Sequence, residues 1–317
     1  MSLIDQSSEK FLGIDIGASS IKYGWGNPTA GIEYFDSENL EERSRAGIIS
    51  AISIVLQKCQ HSIGLDKIKS IGAGTPGKLN KNTHKLVGIN PNLSDWTEID
   101  PIIAFPERLR EKVVIDNDAN LMTLAEAKLL PEANAVLGIT IGSGIGCGFV
   151  LEGRIYHGAH GFAMELGHNI VCASGEKCNC GKAGCLEAYA SVTGMLQAAN
   201  KKIGVRDISI VDFLKASESN QSLHNILDDS LQYLSLAASN LVINLDADAI
   251  VIGGGVTEIG EYPLKRLMNL LYQHLPVDNR DSIVIKKAHW GNKAGVMGGI
   301  LLASDFYSLR NRNCNQI

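Results

Sequence analysis

One short polar segment constrains this chain more tightly than any other. It contains one histidine and three cysteines at the spacing H-x9-C-x-C-x4-C: His168, Cys178, Cys180 and Cys185. The segment is too polar and too rich in glycine for a core element, so its cysteines need a reason other than burial. Three thiolates and one imidazole suit a closed tetrahedral zinc site without an open position for water. The spacing therefore predicts structural zinc, with Glu165 and Glu187 held on either side. Another metal, a redox role and no metal are the alternatives.

A disulfide framework fits these cysteines less well, because disulfides persist in oxidising compartments. The chain has seven cysteines, an odd number, and its start, MSLIDQSSEK, lacks the apolar core of a signal peptide. We therefore expect a cytoplasmic protein with reduced thiols. The cysteines outside the cluster are scattered and are predicted to be mostly packed thiols: Cys59, Cys147, Cys172 and Cys314.

Length and charge narrow the class of protein. At 317 residues the chain exceeds what one hydrophobic core usually covers, which favours two domains. The net charge of −5 and the absence of a Lys/Arg run argue against a nucleic-acid surface. No apolar run approaches the ~20 residues that span a bilayer. These features are typical of a soluble intracellular enzyme.

An α/β pattern repeats along the chain. Apolar strands are predicted at Phe11–Ile16, Ile68–Ala73, Lys112–Ile115, Ala135–Ile141 and Ala249–Ile252. Helices are predicted at Ile48–Leu56, Leu121–Leu130, Leu223–Leu245 and Ala294–Tyr307. The cluster Asp116-Asn117-Asp118 precedes the second helix and supplies side chains that suit an N-cap.

Three glycine-rich turns each follow a predicted strand: Asp15–Ser20, Gly142–Gly148 and Gly253–Gly255. Such turns expose backbone N–H groups, which suits phosphate oxygens, although glycine also simply permits hairpins. The first two turns resemble a distant internal duplication. No Gly-x-Gly-x-x-Gly opens a helix after the first strand and no Gly-Lys-Ser/Thr occurs, so neither the dinucleotide fingerprint nor the P-loop fits. The remaining interpretation is a nucleotide held between two duplicated lobes.

In its glycine-rich turns and its cysteine cluster, the chain resembles sugar kinases of the repressor/ORF/kinase (ROK) family, within the actin/hexokinase ATPase superfamily. The likeness covers nearly the whole chain. Its segments are Asp15–Ser20, Gly74–Gly77, Asn90–Asn92 with Trp96, Asn117–Asn120, Ile141–Gly146, Glu165–His168 and Cys178–Glu187. The last two match the family's zinc signature and are the most specific. Two residues depart from the usual pattern: Ala18 stands for glycine and Ser143 for threonine.

The resemblance implies an α/β architecture of two ribonuclease-H-like (actin-like ATPase) domains that flank a cleft. The smaller domain would comprise residues 10–117 with 296–317, and the larger, zinc-carrying domain residues 118–295. It also implies closure of the cleft on sugar and a homodimer formed through the larger domain.

The resemblance further implies ATP-dependent phosphorylation of a hexose hydroxyl, with Asp118 as general base. We expect its carboxylate to be ionised, since the helix dipole favours negative charge there; a plain N-cap is the alternative role. Mg²⁺ would bridge the phosphates near Asp15. The nucleotide-binding set is Asp15, Gly17, Ser19, Gly142, Ser143, Gly144, Gly254 and Gly255. The sugar-binding set is Asn92, Asn117, Asp118, Glu165, His168 and Glu187. Lys22 could reach a phosphate, but a lysine in an alternating strand is expected to be simply exposed. His157 and His160 are expected to be loop residues without a role.

The sugar is the least constrained part of the prediction. Glucose is the first choice, because the whole set of hydroxyl-binding positions is present, and N-acetylglucosamine, N-acetylmannosamine and fructose stay open. ATP is favoured over polyphosphate as donor. The family's transcriptional repressors carry a helix-turn-helix domain ahead of the first strand, and the start of that strand near residue 11 leaves no room for one. A sugar sensor without catalysis is the other alternative, which Ala18 and Ser143 keep open.

Overall fold

Apolar strands and helices alternate along the chain and build two five-stranded sheets. The computed structural model describes residues 9–88, 93–204, 207–255, 257, 261–280 and 282–314. The strands are β1 (Lys10–Ile16), β2 (Ser20–Asn27), β3 (Gly31–Asn39), β4 (Ile68–Thr75), β5 (Lys78–Leu79), β6 (Leu86–Val87), β7 (Val113–Asn117), β8 (Ala135–Ile141), β9 (Ile145–Leu151), β10 (Arg154–Ile155), β11 (Ala249–Gly253) and β12 (Val284–Lys287). The α-helices are α1 (Arg45–Ser62), α2 (Glu107–Arg110), α3 (Asp118–Ala127), α4 (Glu187–Ala190), α5 (Val192–Ile203), α6 (Ile210–Ser217), α7 (Gln221–Leu245), α8 (Glu261–His274), α9 (Val277–Arg280) and α10 (Ala294–Cys314).

The two large sheets have the same strand arrangement. The first has the order β3-β2-β1-β4-β7 and the second the order β10-β9-β8-β11-β12. In each sheet an antiparallel hairpin, β1–β2 or β8–β9, is extended by two parallel strands. Parallel neighbours require crossover connections, which helices supply here. The predicted α/β class is confirmed, and the likeness of the first two glycine-rich turns reflects this repeated arrangement.

Several helices are longer than the sequence predicted, because the capping residue lies further out. The long helix α7 begins at Gln221 rather than Leu223. Asn220 caps it, since its Oδ1 accepts hydrogen bonds from the backbone N–H groups of Ser222 and Leu223 at 3.0 and 3.2 Å. The final helix continues to Cys314, beyond the predicted end.

Two helices cover opposite faces of the first sheet. Strand β1 sends Leu12 and Ile14 into a core cluster that includes Ile52 of α1. Phe11, on the alternate face, packs with Val296 of α10. Successive side chains of a strand point to opposite faces, so α1 and α10 lie on the two sides of this sheet.

Helix α10 approaches its face of the sheet more closely than side chains would permit. A Cβ atom added to Gly13 of β1 would lie 2.0 Å from the carbonyl oxygen of Val296. A Cβ atom added to Gly72 of β4 would lie 2.0 Å from the carbonyl oxygen of Gly299. Backbone therefore contacts backbone across this interface, and glycine is needed at both strand positions.

The second sheet shares one hydrophobic core with the long helix α7. The first four leucines of the predicted repeat are buried: Leu223, Leu227, Leu231 and Leu234. Leu241 and Leu245, near the end of the helix, are partly buried. They form a cluster with apolar residues of β8 and β11, such as Leu137 and Ile250. Burial of apolar surface contributes roughly 25 cal/mol per Å², and this contribution stabilises the 25-residue helix.

The described residues divide into two compact units. Unit 1 takes its residues from Met1–Ala125, His157–Phe162 and Asn292–Ile317, and unit 2 from Glu126–Tyr156 and Ala163–Gly291. The domain bounds inferred from the resemblance, 10–117 with 296–317 and 118–295, stay a prediction. Within the part of the chain that the structure describes, none of the helices combines the length and apolar character needed to cross a membrane.

The contact between α10 and the first sheet generates a stability prediction. Gly72→Ala should lower the free energy of unfolding by about 1–3 kcal/mol or more, because the added methyl group meets rigid backbone. Gly142→Ala is the matched control, since its Cβ would have no neighbour within 4 Å. Urea unfolding followed by circular dichroism measures both changes. Equal stability losses in the two variants would contradict the steric explanation.

Candidate functional site

Acidic residues lie at the carboxyl edge of the parallel strands of unit 1. Asp15 of β1, Gly74 of β4 and Asp116 of β7 are in register with one another. The carboxyl ends of parallel strands are where α/β proteins commonly bind ligands. Gly74 has no side chain, and the Cα atom of Asp118 lies 3.5 Å from the place its Cβ would occupy. Asp118 thus packs directly over the middle strand of this edge.

Asn117, rather than Asp118, caps helix α3. Its Oδ1 accepts hydrogen bonds from the backbone N–H groups of Ala119 and Asn120, at 2.9 and 3.2 Å. Its Nδ2 donates to the carbonyl oxygen of Gly77 at 3.1 Å, which fixes the side chain. Helix α3 therefore begins at Asp118, three residues before the predicted Leu121. Asp118 lies in the first turn without having to serve as its cap.

The ionisation of Asp118 differs from the sequence prediction. Burial, followed by the negative charge of Asp15, raises the pKa of Asp118 to about 7. Hydrogen bonds from the first turn of α3 oppose this shift but do not cancel it. The expectation of a carboxylate kept ionised by the helix dipole was wrong, because loss of solvation outweighs the dipole here. An acid with a pKa near neutrality is suited to accept and release protons.

Asp15 is paired with a lysine. Its Oδ2 lies 3.6 Å from Lys22 Nζ. Burial raises the pKa of Asp15, and the charge of Lys22 counteracts that shift. The expectation that Lys22 is simply exposed was wrong: the antiparallel register of β1 and β2 places it opposite Asp15. Ser19 is exposed in the turn between these strands, and the Gly17 N–H closes that turn by donating to the carbonyl oxygen of Ser20 at 3.0 Å.

The neighbour of Asn117 in β7, Asp116, is buried and hydrogen-bonded on both carboxylate oxygens. Oδ1 accepts from the Asn117 N–H at 2.7 Å and from Asn120 Nδ2 at 2.8 Å. Oδ2 lies 2.6 Å from His157 Nε2. This hydrogen bond raises the pKa of His157 above its usual value. His157 was expected to be a loop residue without a role, and no spacing signal could have found the pair, since 41 residues separate its members.

In unit 2 the second glycine-rich turn is shorter than predicted. Gly142–Gly144 turns between β8 and β9, whereas the following glycines belong to strand β9. The Gly142 carbonyl oxygen accepts from the Val192 N–H at 2.9 Å. The Ser143 carbonyl oxygen accepts from Thr193 Oγ1 at 2.7 Å. The start of helix α5 therefore holds this turn in place.

Glu187, predicted as a sugar ligand, contacts the same turn. Its Oε2 accepts a hydrogen bond from the Ile145 N–H at 3.0 Å. A Cβ atom added to Gly144 would lie 2.4 Å from that oxygen. Glycine at position 144 therefore makes room for the carboxylate, and a predicted sugar residue is joined to a predicted phosphate turn.

The third glycine turn lies beside the second. Gly254 has a φ of +94°, a conformation that glycine adopts without strain. A Cβ atom there would lie 2.4 Å from the carbonyl oxygen of Ile141, at the end of β8. The following residue, Gly255, is exposed. The predicted adenosine-bordering turn and the predicted phosphate turn thus meet within unit 2.

The predicted metal ligands converge. One ligand atom from each of His168, Cys178, Cys180 and Cys185 lies within 4.8 Å of all the others. His168 Nδ1 is 3.8 Å from Cys178 Sγ, and the Sγ atoms of Cys180 and Cys185 are 3.6 Å apart. Zinc–sulfur bonds of about 2.3 Å in a tetrahedron separate the ligand atoms by about 3.8 Å. The arrangement fits a tetrahedral ion of that size.

Two of the three thiols in this cluster have raised pKa values. Burial raises the pKa of Cys178, and it raises the pKa of Cys185 to about 12. Burial acts on Cys180 in the same direction, but hydrogen bonds from the Lys182 backbone and with the neighbouring thiols outweigh it and lower the pKa of Cys180. A bound metal displaces thiol protons, so an ion would hold all three cysteines as thiolates. The second ring nitrogen of His168, Nε2, lies 3.8 Å from Glu165 Oε2, so the imidazole lies between the cluster and that carboxylate.

The predicted site residues fall into two groups. Unit 1 contains Asp15, Gly17, Ser19, Asn117 and Asp118. Unit 2 contains Gly142, Ser143, Gly144, Glu165, His168, Cys178, Cys180, Cys185, Glu187, Gly254 and Gly255. Asn92, predicted to bind sugar, lies outside the described residues.

Comparisons with known proteins give this chain a family. The sequence model of the ROK family matches residues 11–306. A glucokinase of Halalkalibacterium halodurans is 31% identical over 316 residues, covering 92% of this chain and 94% of that protein. An N-acetyl-D-glucosamine kinase of Histophilus somni is 27% identical, covering 92% and 98%.

A solved structure has the same fold over nearly the whole chain. It is a ROK family glucokinase from Streptomyces griseus in complex with glucose and AMPPNP, with a TM-score of 0.78 and 24% identity. The match covers 93% of this chain and 99% of that one. From the family match across residues 11–306, which includes every predicted site residue, we conclude that this chain belongs to the ROK family.

Proposed function

We propose that this protein is a sugar kinase that transfers the γ-phosphate of ATP to a hydroxyl group of a hexose, with glucose as the preferred sugar. One observation carries the proposal: a carboxyl group with a pKa of about 7 lies in the capped first turn of a helix, at the carboxyl edge of a parallel sheet. Similarity to a glucokinase over 92% of the chain supports the choice of reaction.

In the proposed reaction Asp118 is the general base. Its carboxylate takes the proton from the attacking sugar hydroxyl, whose oxygen bonds to the γ-phosphorus while the bond to the leaving ADP oxygen breaks. Phosphoryl transfer depends mainly on positioning and on neutralising charge. The hydrogen bonds of Asn117 to the first turn of α3 supply the positioning.

Asp15 is suited to the magnesium ion that accompanies ATP. Mg²⁺ is usually held through one or two carboxylates, water and phosphates, and Asp15 offers a partly buried carboxylate beside Lys22. The ion would neutralise phosphate charge. Together, Asp15 and Lys22 would place one negative and one positive group near the nucleotide.

The proposed nucleotide-binding residues of each unit lie in glycine-rich turns. In unit 1 the turn containing Gly17 and Ser19 offers small residues, and in unit 2 Gly142–Gly144 does the same. Gly254 and Gly255 would border the adenosine. The close approach of Gly254 to Ile141 supports treating the two unit 2 turns as parts of one nucleotide site.

The sugar would be recognised by amide and carboxylate groups, each of which pairs well with neighbouring hydroxyls. The proposed set is Asn92, Asn117, Asp118, Glu165, His168 and Glu187. The four-ligand cluster fits structural zinc, and the ion would hold the loop that carries His168. Glu187 has one oxygen on the Ile145 N–H, so it would link sugar recognition to the phosphate turn.

N-acetylated hexoses are the second candidate substrates. The 27% identity to an N-acetyl-D-glucosamine kinase, over 92% of the chain, favours N-acetylglucosamine as a candidate. N-acetylmannosamine and the unmodified sugar fructose are further candidates. A sensor that binds sugar without turnover is the alternative of a different class. A homodimer stays a prediction.

Replacement of the proposed base tests the reaction itself. We expect ADP release from ATP with at least one of glucose, N-acetylglucosamine, N-acetylmannosamine and fructose, with glucose giving the highest kcat/KM. Asp118→Asn should lower kcat by about 10²–10⁴, the usual contribution of general-base catalysis. Circular dichroism should show an intact fold. Retained turnover in the variant would remove Asp118 from the role, and tight sugar binding without turnover in the wild type would favour the sensor.

The pKa of Asp118 predicts the direction of the pH dependence. The base must be ionised, so activity should fall as the pH drops through about 7, by about tenfold per unit of pH well below that value. Direct quantification of the sugar phosphate between pH 5.5 and 8.5 measures this limb. A rate that is flat down to pH 5.5 would show that Asp118 does not titrate in the catalytic step.

The metal cluster predicts a selective loss of sugar binding. Cys180→Ala should release zinc and weaken sugar binding by about tenfold or more, as metal-site substitutions commonly do, with a smaller effect on ATP binding. Cys172→Ala is the matched control, because this thiol lies in the same loop region but outside the four-ligand cluster. Calorimetric titration and metal analysis provide the readouts. An equal loss of both affinities would identify the cluster as a general stabiliser of the fold.

A further inference from the structure

The loop His157–Phe162 belongs to unit 1 and is held there by several contacts. His157 Nε2 lies 2.6 Å from Asp116 Oδ2. Lys81 donates through Nζ to the Gly158 carbonyl oxygen at 2.8 Å and through its backbone N–H to the His160 carbonyl oxygen at 3.1 Å. The loop is therefore fixed beside the strand that leads into α3.

The carboxylate that His157 contacts is largely removed from solvent. Asp116 is 5% exposed, and a buried carboxylate is costly unless it is hydrogen-bonded and its charge is compensated. Asn117 and Asn120 donate neutral hydrogen bonds to Oδ1. The partner on Oδ2, His157, can supply a positive charge as well as a donor.

The charges around His157 act in opposite directions. The hydrogen bond that His157 donates to Asp116 raises the pKa of His157, while burial and the charge of Lys81 lower it. The net direction is upward. Protonation of the imidazole therefore persists to higher pH than for a free histidine, and the contact is an ion pair whenever the imidazole is protonated.

The other partners of Asp116 belong to the first turn of α3. Asn117 caps that turn, and Asn120 lies one residue beyond Ala119. Asp118 stands between these two residues, so its backbone is held from both sides by groups bonded to Asp116. A shift of the Asp116 carboxylate would move both groups, and with them Asp118.

We infer that His157 is a positioning residue for the proposed phosphoryl transfer: by compensating the buried Asp116 carboxylate it holds the first turn of α3, and hence Asp118, in place. The inference rests on the proposed function for its catalytic consequence. Nothing in the geometry brings His157 onto Asp118 itself, so its action is indirect. Misplacement of a catalytic group by about 1 Å can cost on the order of 10²-fold in rate.

Three variants test the inference. His157→Ala removes both the donor and the charge, and should lower kcat by about 10- to 100-fold with the KM for ATP unchanged. His157→Gln keeps an N–H donor but not the charge, and should recover part of the loss. His160→Ala is the matched control, because this exposed histidine lies in the same loop and donates nothing to Asp116. It should match the wild type.

Hydrogen–deuterium exchange gives a readout that does not depend on turnover. Amides of a peptide spanning residues 113–124 should exchange several-fold faster in His157→Ala than in the wild type, and at the wild-type rate in His160→Ala. His157→Gln should exchange faster than the wild type at pH 6, where His157 is charged. The two should converge as the pH rises through the folded-state pKa of His157, because a raised folded-state pKa provides stability that is present below the unfolded-state pKa and is lost as the pH rises through the folded-state value.

The outcomes separate this inference from the proposed function. If the wild type phosphorylates a sugar and His157→Ala keeps its kcat within twofold, the positioning role is overturned. The positioning role is also overturned if the KM for ATP of His157→Ala rises by the same factor as its kcat falls, or if His157→Gln recovers none of the lost kcat. If the wild type phosphorylates none of the four sugars, the proposed function fails, and unchanged exchange in the 113–124 peptide would then overturn the structural link as well.

Should His157→Ala not fold, the pH-dependent exchange of His157→Gln decides alone, and a difference that does not change with pH would overturn the inference.

Discussion

The close contact of helix α10 with its neighbours is the constraint on which the acidic edge of unit 1 depends. Gly298 and Gly299 let the helix backbone lie against α3 and β4, where a Cβ would fall 2.0 Å from the Leu121 carbonyl oxygen or 2.6 Å from that of Gly72. Gly295 does the same beside the Asp15 carboxyl group, at 2.5 Å. One helix thus sets the positions of β4, α3 and Asp15. Interiors packed at this density transmit small displacements rather than absorbing them.

Removal from water then determines the chemistry of that edge. Asp118 has a pKa raised by burial and by Asp15, while the carboxylate oxygens of Asp116 are held by hydrogen bonds with Asn117, Asn120 and His157. Neighbouring carboxyl groups in different surroundings can therefore take different roles. This separation gives a proton acceptor and a fixed anchor within three residues of the chain.

In unit 2 the predicted site residues are held by hydrogen bonds and by a cluster of convergent side chains rather than by close backbone packing. Its predicted phosphate turn rests on the start of α5 and on Glu187, whose carboxylate accepts from the Ile145 N–H. A few residues earlier in the chain, four soft ligand atoms converge to within 4.8 Å. A polar loop has little apolar surface to bury, so convergent ligands offer the cross-link that packing alone would not supply. Glu187 lies two residues after Cys185, the last residue of the cluster, and also contacts the phosphate turn, so it connects the two.

Short-range patterns in the sequence were enough to predict the alternating strands, the leucine repeat of α7, the capping region of α3 and the ligand spacing from His168 to Cys185. Local hydrogen bonding and periodicity specify these features, and the family motifs extended the prediction of the fold to nearly the whole chain. Three features arise only in the folded chain: the contact of His157 with Asp116, the contact of Glu187 with Ile145 and the raised pKa of Asp118. Each depends on groups far apart in the chain or on the loss of solvent, and neither chain separation nor desolvation leaves a pattern in neighbouring residues.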